Sequence, residues 1–467
     1  MQKCSPSEVG VDSGRIIAFL DAIEADSRIE PHGLIIQRRG RRIAEGYWAP
    51  HTKDHIRLVY SLSKTFTGTA LALQLGEGRL TLDDLVSDHL PDLFAGADPT
   101  LRGLKIRHIA SMATGHNRET LSEALAIDPD NPVRGFSTIP ADQEPGTLFA
   151  YNQPPVIALA MILQRLAGER LTDYLRPRLL GPLGIHDLRW AQMQPGIDMG
   201  FSGVYTNLDA AARLGQLYLD NGVWNGAQLL PAGWVADAAS VQIANPQRDE
   251  VDWRQGYGFQ LWMSQHGYRG DGAFGQYMVV LPEFDAAIAL FSCTDAMQVV
   301  LDLMWEHLLP AFGDAPPGSR FDDALAARLE SLQLPTVASR LGGADSLVPD
   351  LSFAPGRIDA FSVSSISQIE SIGGAELEVS RVVIHDGEDR LTVPLASKWT
   401  AVDDEVAGCA TSLPDGRVAI DLAFLASPHR LEIELDPATA TFSTHWPSLP
   451  LFRAGFSPHL ASMGAPN

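Results

Sequence analysis

Tyr60-Ser61-Leu62-Ser63-Lys64-Thr65-Phe66 opens a run, residues 62–78, in which Leu62, Phe66, Ala70 and Leu73 recur at intervals of four, four and three. That period predicts an α-helix with one buried stripe, ended by Gly76 and Gly78. Ser61 then falls at the first turn, and Lys64 lies one turn along the same face, within reach of the Ser61 hydroxyl. A serine attacks at neutral pH only when a base takes its proton, and a lysine is such a base only if burial or nearby positive charge lowers its pKa. A largely apolar helix supplies the burial. Its first turn adds backbone N–H groups and a positive dipole end where an oxyanion would form. Ser63 is the rival nucleophile, but consecutive helix residues point in different directions, so the nucleophile is assigned to Ser61. Taken alone, the spacing is short enough to arise by chance at an ordinary helix start with a solvated lysine.

The length of 467 residues suggests two domains or one large domain with an appendage, and 45% apolar residues with nine tryptophans describe a globular chain. A net charge of −22 argues against nucleic acid and anionic membrane surfaces as partners. Cys4, Cys293 and Cys409 are few, odd in number and widely spaced, which fits a reducing compartment and matches no metal-ligand spacing. No metal or other cofactor is expected. The first residues lack an apolar segment of signal-peptide length, and no run of about 18 apolar residues occurs, so the expected location is cytoplasmic.

From Asp12 an amphipathic helix runs through Ile16, Leu20 and Ile23. Runs from Gly33 and Arg42, separated by RRGRR, read as a hairpin. Residues 80–250 carry mostly helical patterns, and 256–263, 275–282 and 286–292 read as strands, followed by a helix over 296–309. The predicted domains are 1–312, an antiparallel sheet flanked by helices with an all-helical region, and 321–467, joined by a Pro/Gly-rich linker over 313–320. A helix near 322–334 opens the second part. Its remaining short alternating runs suggest a small all-β sandwich or barrel.

A serine–lysine site needs a second proton-handling group for the leaving group. Tyr151 fits, in a loop before an apolar helix whose first turn suits Pro154 and Pro155, with the amides of Asn152 and Gln153 beside it to orient a substrate carbonyl. The competing reading is a tyrosine packed in the helical region with its hydroxyl satisfied. The stretch from His266 to Val280 holds four glycines, which let a substrate approach the strand backbone, and Arg269, which could hold an anionic group. A plain glycine-rich hairpin would carry the same pattern. No GxSxG occurs. His51 and His55 stand four apart without HExxH or a carboxylate pattern and read as solvated loop histidines, and His116 as a structural or rim residue.

YSLSKTF (60–66), GRLTLDD (78–84), PGTLFAYNQ (145–153), PLGI (182–185) and FGQYMVVLP (274–282), in that order, resemble the β-lactamase-related serine hydrolases, which include class C β-lactamases, DD-peptidases, esterases and amide hydrolases. The resemblance covers roughly residues 5–312. It implies a penicillin-binding-protein-like α/β (α+β) fold and an acyl-enzyme on Ser61. It also implies that Lys64 and Tyr151 share the base and acid roles, with an oxyanion hole from the serine N–H and a strand N–H near Arg269 to Gly272. Two positions depart from the family pattern. Gln153 stands where asparagine is usual, and the Lys-Thr-Gly or His-x-Gly motif is absent, leaving His266, Gly267 or Arg269 at its cationic position. The expected substrate is therefore a small ester, amide or peptide-like molecule rather than a penicillin. A β-lactamase, a penicillin-binding protein and a non-catalytic ligand-binding relative are the alternatives. Neither the oligomeric state nor the role of the tail follows from the sequence.

Overall fold

The computed structural model describes residues 1–313, 321–342, 351–372 and 380–451. Its first sheet has six strands: β1 (Glu30–Arg38), β2 (Arg41–Tyr47), β3 (Trp262–Met263), β4 (Tyr268–Gly272), β5 (Gln276–Leu281) and β6 (Ala286–Cys293). They lie in the order β3-β4-β5-β6-β1-β2, every neighbouring pair antiparallel. The β1–β2 turn takes positive φ at Arg39 (52°) and Gly40 (69°), the twist a tight hairpin needs. Both faces of the sheet are covered, so its strands are buried nearly throughout, and β5 and β6 are apolar along most of their length. Leu34, Ile36, Val279, Ile288 and Leu290 join the core under helix α1 (Ser13–Ala25). Ile35, Met278, Val280, Ala289 and Phe291 join the opposite core, which holds helix α2 (Ser63–Gly76). Each of these fully buried side chains other than Ala289 contributes about 1.5–3 kcal/mol.

Helix α2 differs from the one-striped helix its period predicts. It is buried on nearly every side, including Thr65, Thr67 and Thr69, while Leu73 is only partly covered. Thr67 and Thr69 are tolerated there because their hydroxyls find carbonyls, Gly200 O and Thr65 O, each at 2.7 Å, whereas Thr65 Oγ1 is buried without a partner among the described residues. Ser61 sits just ahead of the α-helix in a 3₁₀ turn, Tyr60–Leu62. The region between the sheet halves is helical, with helices α3 (Gln153–Ala167) and α4 (Leu208–Leu219), but it also holds short ribbons at 57–58, 188–190 and 204–206, at 192–194 and 197–198, and at 223–224 and 227–228. The strand expected over 256–263 is reduced to β3, extended only by bridges through Tyr257.

The second sheet has nine strands: β7 (Leu351–Pro355), β8 (Ile366–Ile372), β9 (Arg381–Asp386), β10 (Asp389–Pro394), β11 (Thr400–Ala401), β12 (Val406–Ser412), β13 (Val418–Phe424), β14 (Arg430–Asp436) and β15 (Thr441–His445). Their order is β10-β9-β8-β7-β15-β14-β13-β12-β11, antiparallel except for β7 beside β15. The sheet curls until it is nearly closed, with Ala410 N in β12 donating to Ala396 O just after β10 at 2.7 Å. One core, with Phe353, Ile384, Val393, Leu422, Phe424 and Trp446, fills its interior. The helix Asp322–Glu330 packs on the first sheet's side instead: Ser7 and Ser13 donate to Asp322, and Arg328 pairs with Glu24. Apart from Gly313, the linker expected over 313–320 lies outside the described residues. Among the described residues all three cysteines are free, and no helix is long and apolar enough to cross a membrane.

Candidate active site

The 3₁₀ turn and the first turn of α2 place Lys64 Nζ 2.9 Å from Ser61 Oγ, and the same amine donates to Phe201 O at 2.8 Å. Lys64 is 1% exposed. Its aliphatic stem lies in the helix core, and its nitrogen lies 4.8 Å from the Tyr151 ring centroid and 5.7 Å from that of Phe201. Loss of water around the ammonium pulls the Lys64 pKa down to about 7, while the carboxylates of Asp271 and Glu119 pull the other way. Near neutral pH an unprotonated amine, able to accept a proton from a neighbouring hydroxyl, is therefore accessible to Lys64.

Tyr151 reaches the site from the loop before α3, and its hydroxyl is near enough to Ser61 for the serine to favour its ionised form slightly. Its ring stacks on Trp262, with centroids 5.2 Å apart and an interplanar angle of 21°. Burial is the largest influence on the phenol and raises its pKa, so it stays protonated at neutral pH. The structure thus brings Ser61, Lys64 and Tyr151 together, with the amine poised to receive a proton and the phenol poised to give one.

Ser63 is committed elsewhere. It is fully buried, donates to Tyr60 O at 2.6 Å and accepts from Val204 N at 3.0 Å. Ser63→Ala is expected to lower stability by about 1–3 kcal/mol, chiefly by removing the acceptor of Val204 N, since Tyr60 O keeps a backbone N–H partner in its turn, while leaving Ser61 labelling unchanged. Thermal unfolding together with labelling by a serine-reactive probe checks both halves of that expectation.

The predicted substrate-binding residues fare differently. Arg269 is not available to a substrate: it is 0% exposed, donates through Nε to Asp271 at 3.0 Å and through Nη1 to Met263 O at 3.0 Å, and lies 4.3 Å from the Trp253 ring. Its strand position points it into the protein rather than the cleft, so it serves as an internal counter-ion. Gly272 has a packing reason to be glycine, since a Cβ there would sit 2.0 Å from Val59 O. At Gly270 a Cβ would meet Thr65 Oγ1 at 2.3 Å, so both glycines let β4 run against the segment that carries Ser61. Beyond Arg269, β4 has no ladder partner from β3, which leaves the edge at 270–272 open in the described pairing.

Gln153 begins α3, its N–H donating to Glu119 at 3.3 Å, and its Oε1 is buried without a partner among the described residues. Asn152 is turned away from the cleft and pins residue 120 by accepting from Thr120 N and Oγ1, each at 3.0 Å. His51 is buried rather than solvated, its ring 4.0 Å from that of His32, and burial holds both histidines neutral. His116 is an internal structural residue, fully buried and bonded to Thr114 and Ile139.

Sequence reasoning missed Asp271, Trp262 and Phe201. Asp271 is 7% exposed, bonded to Arg269, and close enough to Trp262, Lys64 and Tyr151 for each to feel or exert an electrostatic influence. Its alternation with Arg269 along a strand was the only available signal, and a carbonyl such as Phe201 O leaves none. A cavity of about 1000 Å³ lined by Trp48, Cys293, Arg340 and Arg430 lies elsewhere and is lined by none of Ser61, Lys64 and Tyr151.

The sequence profile of the Beta-lactamase family matches residues 18–308. The chain is 24% identical over 283 residues to the 6-aminohexanoate-dimer hydrolase of Paenarthrobacter ureafaciens, covering 55% of this chain and 71% of that one. It is 26% identical over 289 residues to penicillin-binding protein 4 of Amycolatopsis lactamdurans, covering 52% and 73%. The octameric penicillin-binding protein homologue from Pyrococcus abyssi superposes with a TM-score of 0.51 at 15% identity, covering 90% of this chain and 98% of that one, a likeness of fold.

Proposed function

The chain belongs to the Beta-lactamase family, and on that premise we propose that it is a serine hydrolase that opens a small ester, amide or peptide-like bond through an acyl-Ser61 intermediate. The observation that carries the reading is the 2.9 Å contact between Ser61 Oγ and an amine whose pKa burial draws down to about 7. In the forward step the unprotonated Lys64 takes the hydroxyl proton as Oγ adds to the substrate carbonyl. The new oxyanion faces the Ser61 N–H at the helix start and the open backbone edge of β4. Tyr151 gives its proton to the departing alcohol or amine and recovers one from Lys64, so the acyl-enzyme forms with no net change in charge. Water then adds to the ester along the reverse proton path, releasing the acid and free Ser61.

Sequestration of Arg269 supports an ester or amide over a penicillin, because the cation that would anchor a ring carboxylate is already bonded to Asp271. The test is to incubate the folded chain with a fluorophosphonate and map the adduct by mass, then compare turnover of a nitrophenyl ester with that of benzylpenicillin. Ser61 is expected to carry the label, and the ester is expected to turn over at least about tenfold faster, the consequence of one lost charge-assisted contact. An unlabelled Ser61 in folded protein sinks the hydrolase reading, and faster penicillin turnover sinks the substrate preference.

A further inference from the structure

The loop at residues 425–429, between β13 and β14, enters the first half of the molecule immediately before the nucleophile. Leu58 N donates to Ala426 O at 2.9 Å, Arg57 Nη2 to Ser427 O at 2.7 Å, and Tyr60 Oη is hydrogen-bonded to His429 Nε2 at 2.8 Å. Ala426, Ser427 and His429 are at most 2% exposed, so this is an interior joint. His429 also stacks edge-on against Phe274, with centroids 4.5 Å apart, and Phe274 in turn packs edge-on against Tyr60 at 5.2 Å. Phe274 lies in the turn that ends β4, the strand running beside Ser61. One side chain of the second sheet therefore touches both walls of the site, the residue before the nucleophile and the turn after the strand that faces it.

Tyr60 adopts φ +47°, a left-handed conformation that a bulky side chain takes up only at a cost of about 1–3 kcal/mol and keeps only where its surroundings over-determine it. Its backbone is tied locally by Ser63 Oγ, which donates to its carbonyl. Its side chain is held by Phe274 and by His429, 369 residues away in sequence. Relaxation of φ to the right-handed basin would rotate the peptide that carries Ser61 and move Oγ away from Lys64.

We propose that the C-terminal sheet is a working part of the hydrolase site: His429, presented by the 425–429 loop, holds Tyr60 in its left-handed conformation and so aims Ser61 at its partner amine. His429 is a positioning residue here, since it acts through Tyr60. The inference rests on the serine-hydrolase reading, and the experiment separates the two. In the full chain, Tyr60→Phe, His429→Leu, the double variant and His429→Gln are compared for the rate of fluorophosphonate labelling at Ser61, normalised to folded protein, and for kcat and KM on a nitrophenyl ester.

Each single loss is expected to slow labelling about 10- to 100-fold, the scale of a misplacement of about 1 Å. The double variant is expected to be no slower than the worse single, and His429→Gln, which keeps a hydrogen-bonding group near Nε2, to recover most of the rate. The ester data are expected to show the loss in kcat with KM little changed. A merely structural role would lower the unfolding temperature and leave the normalised rate alone. Tyr60→Phe removes one oxygen and keeps the ring packing, so the outcome does not depend on His429→Leu folding. If the wild type labels and Tyr60→Phe labels equally fast, or if the two single losses multiply in the double variant, the positioning inference is overturned. If the wild type fails to label, it is the hydrolase reading that falls.

Discussion

Lys64→Met is expected to slow acylation of Ser61 by about 10²–10⁴-fold, the usual worth of a positioned general base, while making the folded protein more resistant to heat. The two effects have one cause. Holding a lysine at 1% exposure brings its pKa from 10.5 to about 7, which corresponds to a penalty on the order of 5 kcal/mol for keeping charge there. The sign follows from proton counts: between about pH 7 and 10.5 the unfolded chain binds the proton that the folded chain has released, so stability rises with pH across that window. The penalty is complete below about pH 7 and gone above 10.5. Methionine fills the same volume without it, at the expense of the bond to Phe201 O. The thermal advantage of Lys64→Met should therefore be larger at pH 6 than at pH 10. Wild-type acylation should climb through about pH 7 and level off above it. Melting curves at the two pH values and a labelling-rate profile from pH 5.5 to 9 measure this directly. A variant that labels as fast as wild type, or a wild-type rate flat through pH 7, removes Lys64 from the base role.

Gly272→Ala is expected to be nearly as damaging, through geometry instead of proton transfer. The added methyl would lie 2.0 Å from Val59 O and 3.0 Å from the carbonyl carbon, and backbone two residues before the nucleophile cannot swing aside as a flexible side chain would. Either β4 retreats or the Val59–Ser61 segment moves, and both separate the open strand edge from the serine. A destabilisation of about 1–3 kcal/mol is expected from the overpacking. A fall in kcat for ester hydrolysis of about 100-fold is expected from the displaced geometry. Gly40→Ala is the control, since its turn position has nothing within 4 Å of an added methyl and its left-handed φ confines the cost to local strain. Urea unfolding and ester kinetics on both variants test this; equal kcat values for Gly272→Ala and wild type would mean that β4 forms no wall of the site.

How much of this was legible from the chain depends on the distance over which each relationship acts. Ser61 and Lys64 were readable as a pair because three residues of helical backbone set their separation, whatever the rest of the molecule does. The β1–β2 hairpin and the strands over 275–282 and 286–292 were readable for the same reason, as local periodicity punctuated by turns, whereas β4 at Tyr268–Gly272, poor in apolar residues, was not read as a strand from its pattern. The one-striped helix was misread because threonine looks polar in a sequence, and its burial depends on carbonyls such as Gly200 O supplied from elsewhere. Arg269 was read correctly as a cation and incorrectly as a ligand-binding one. Which face of β4 it occupies, and that Asp271, Trp253 and Trp262 wait there, depends on pairings across the sheet.

By itself the sequence determined a serine and a lysine one turn apart at the head of an apolar helix, with a tyrosine in a loop that the family's motif order singles out. Tertiary structure alone decided that the amine is dry, that the arginine is spoken for and that a histidine from the far sheet grips the residue before the nucleophile. Backbone geometry propagates along the chain within a turn or two, whereas desolvation and side-chain partnership are set by whatever distant segments happen to pack against a site.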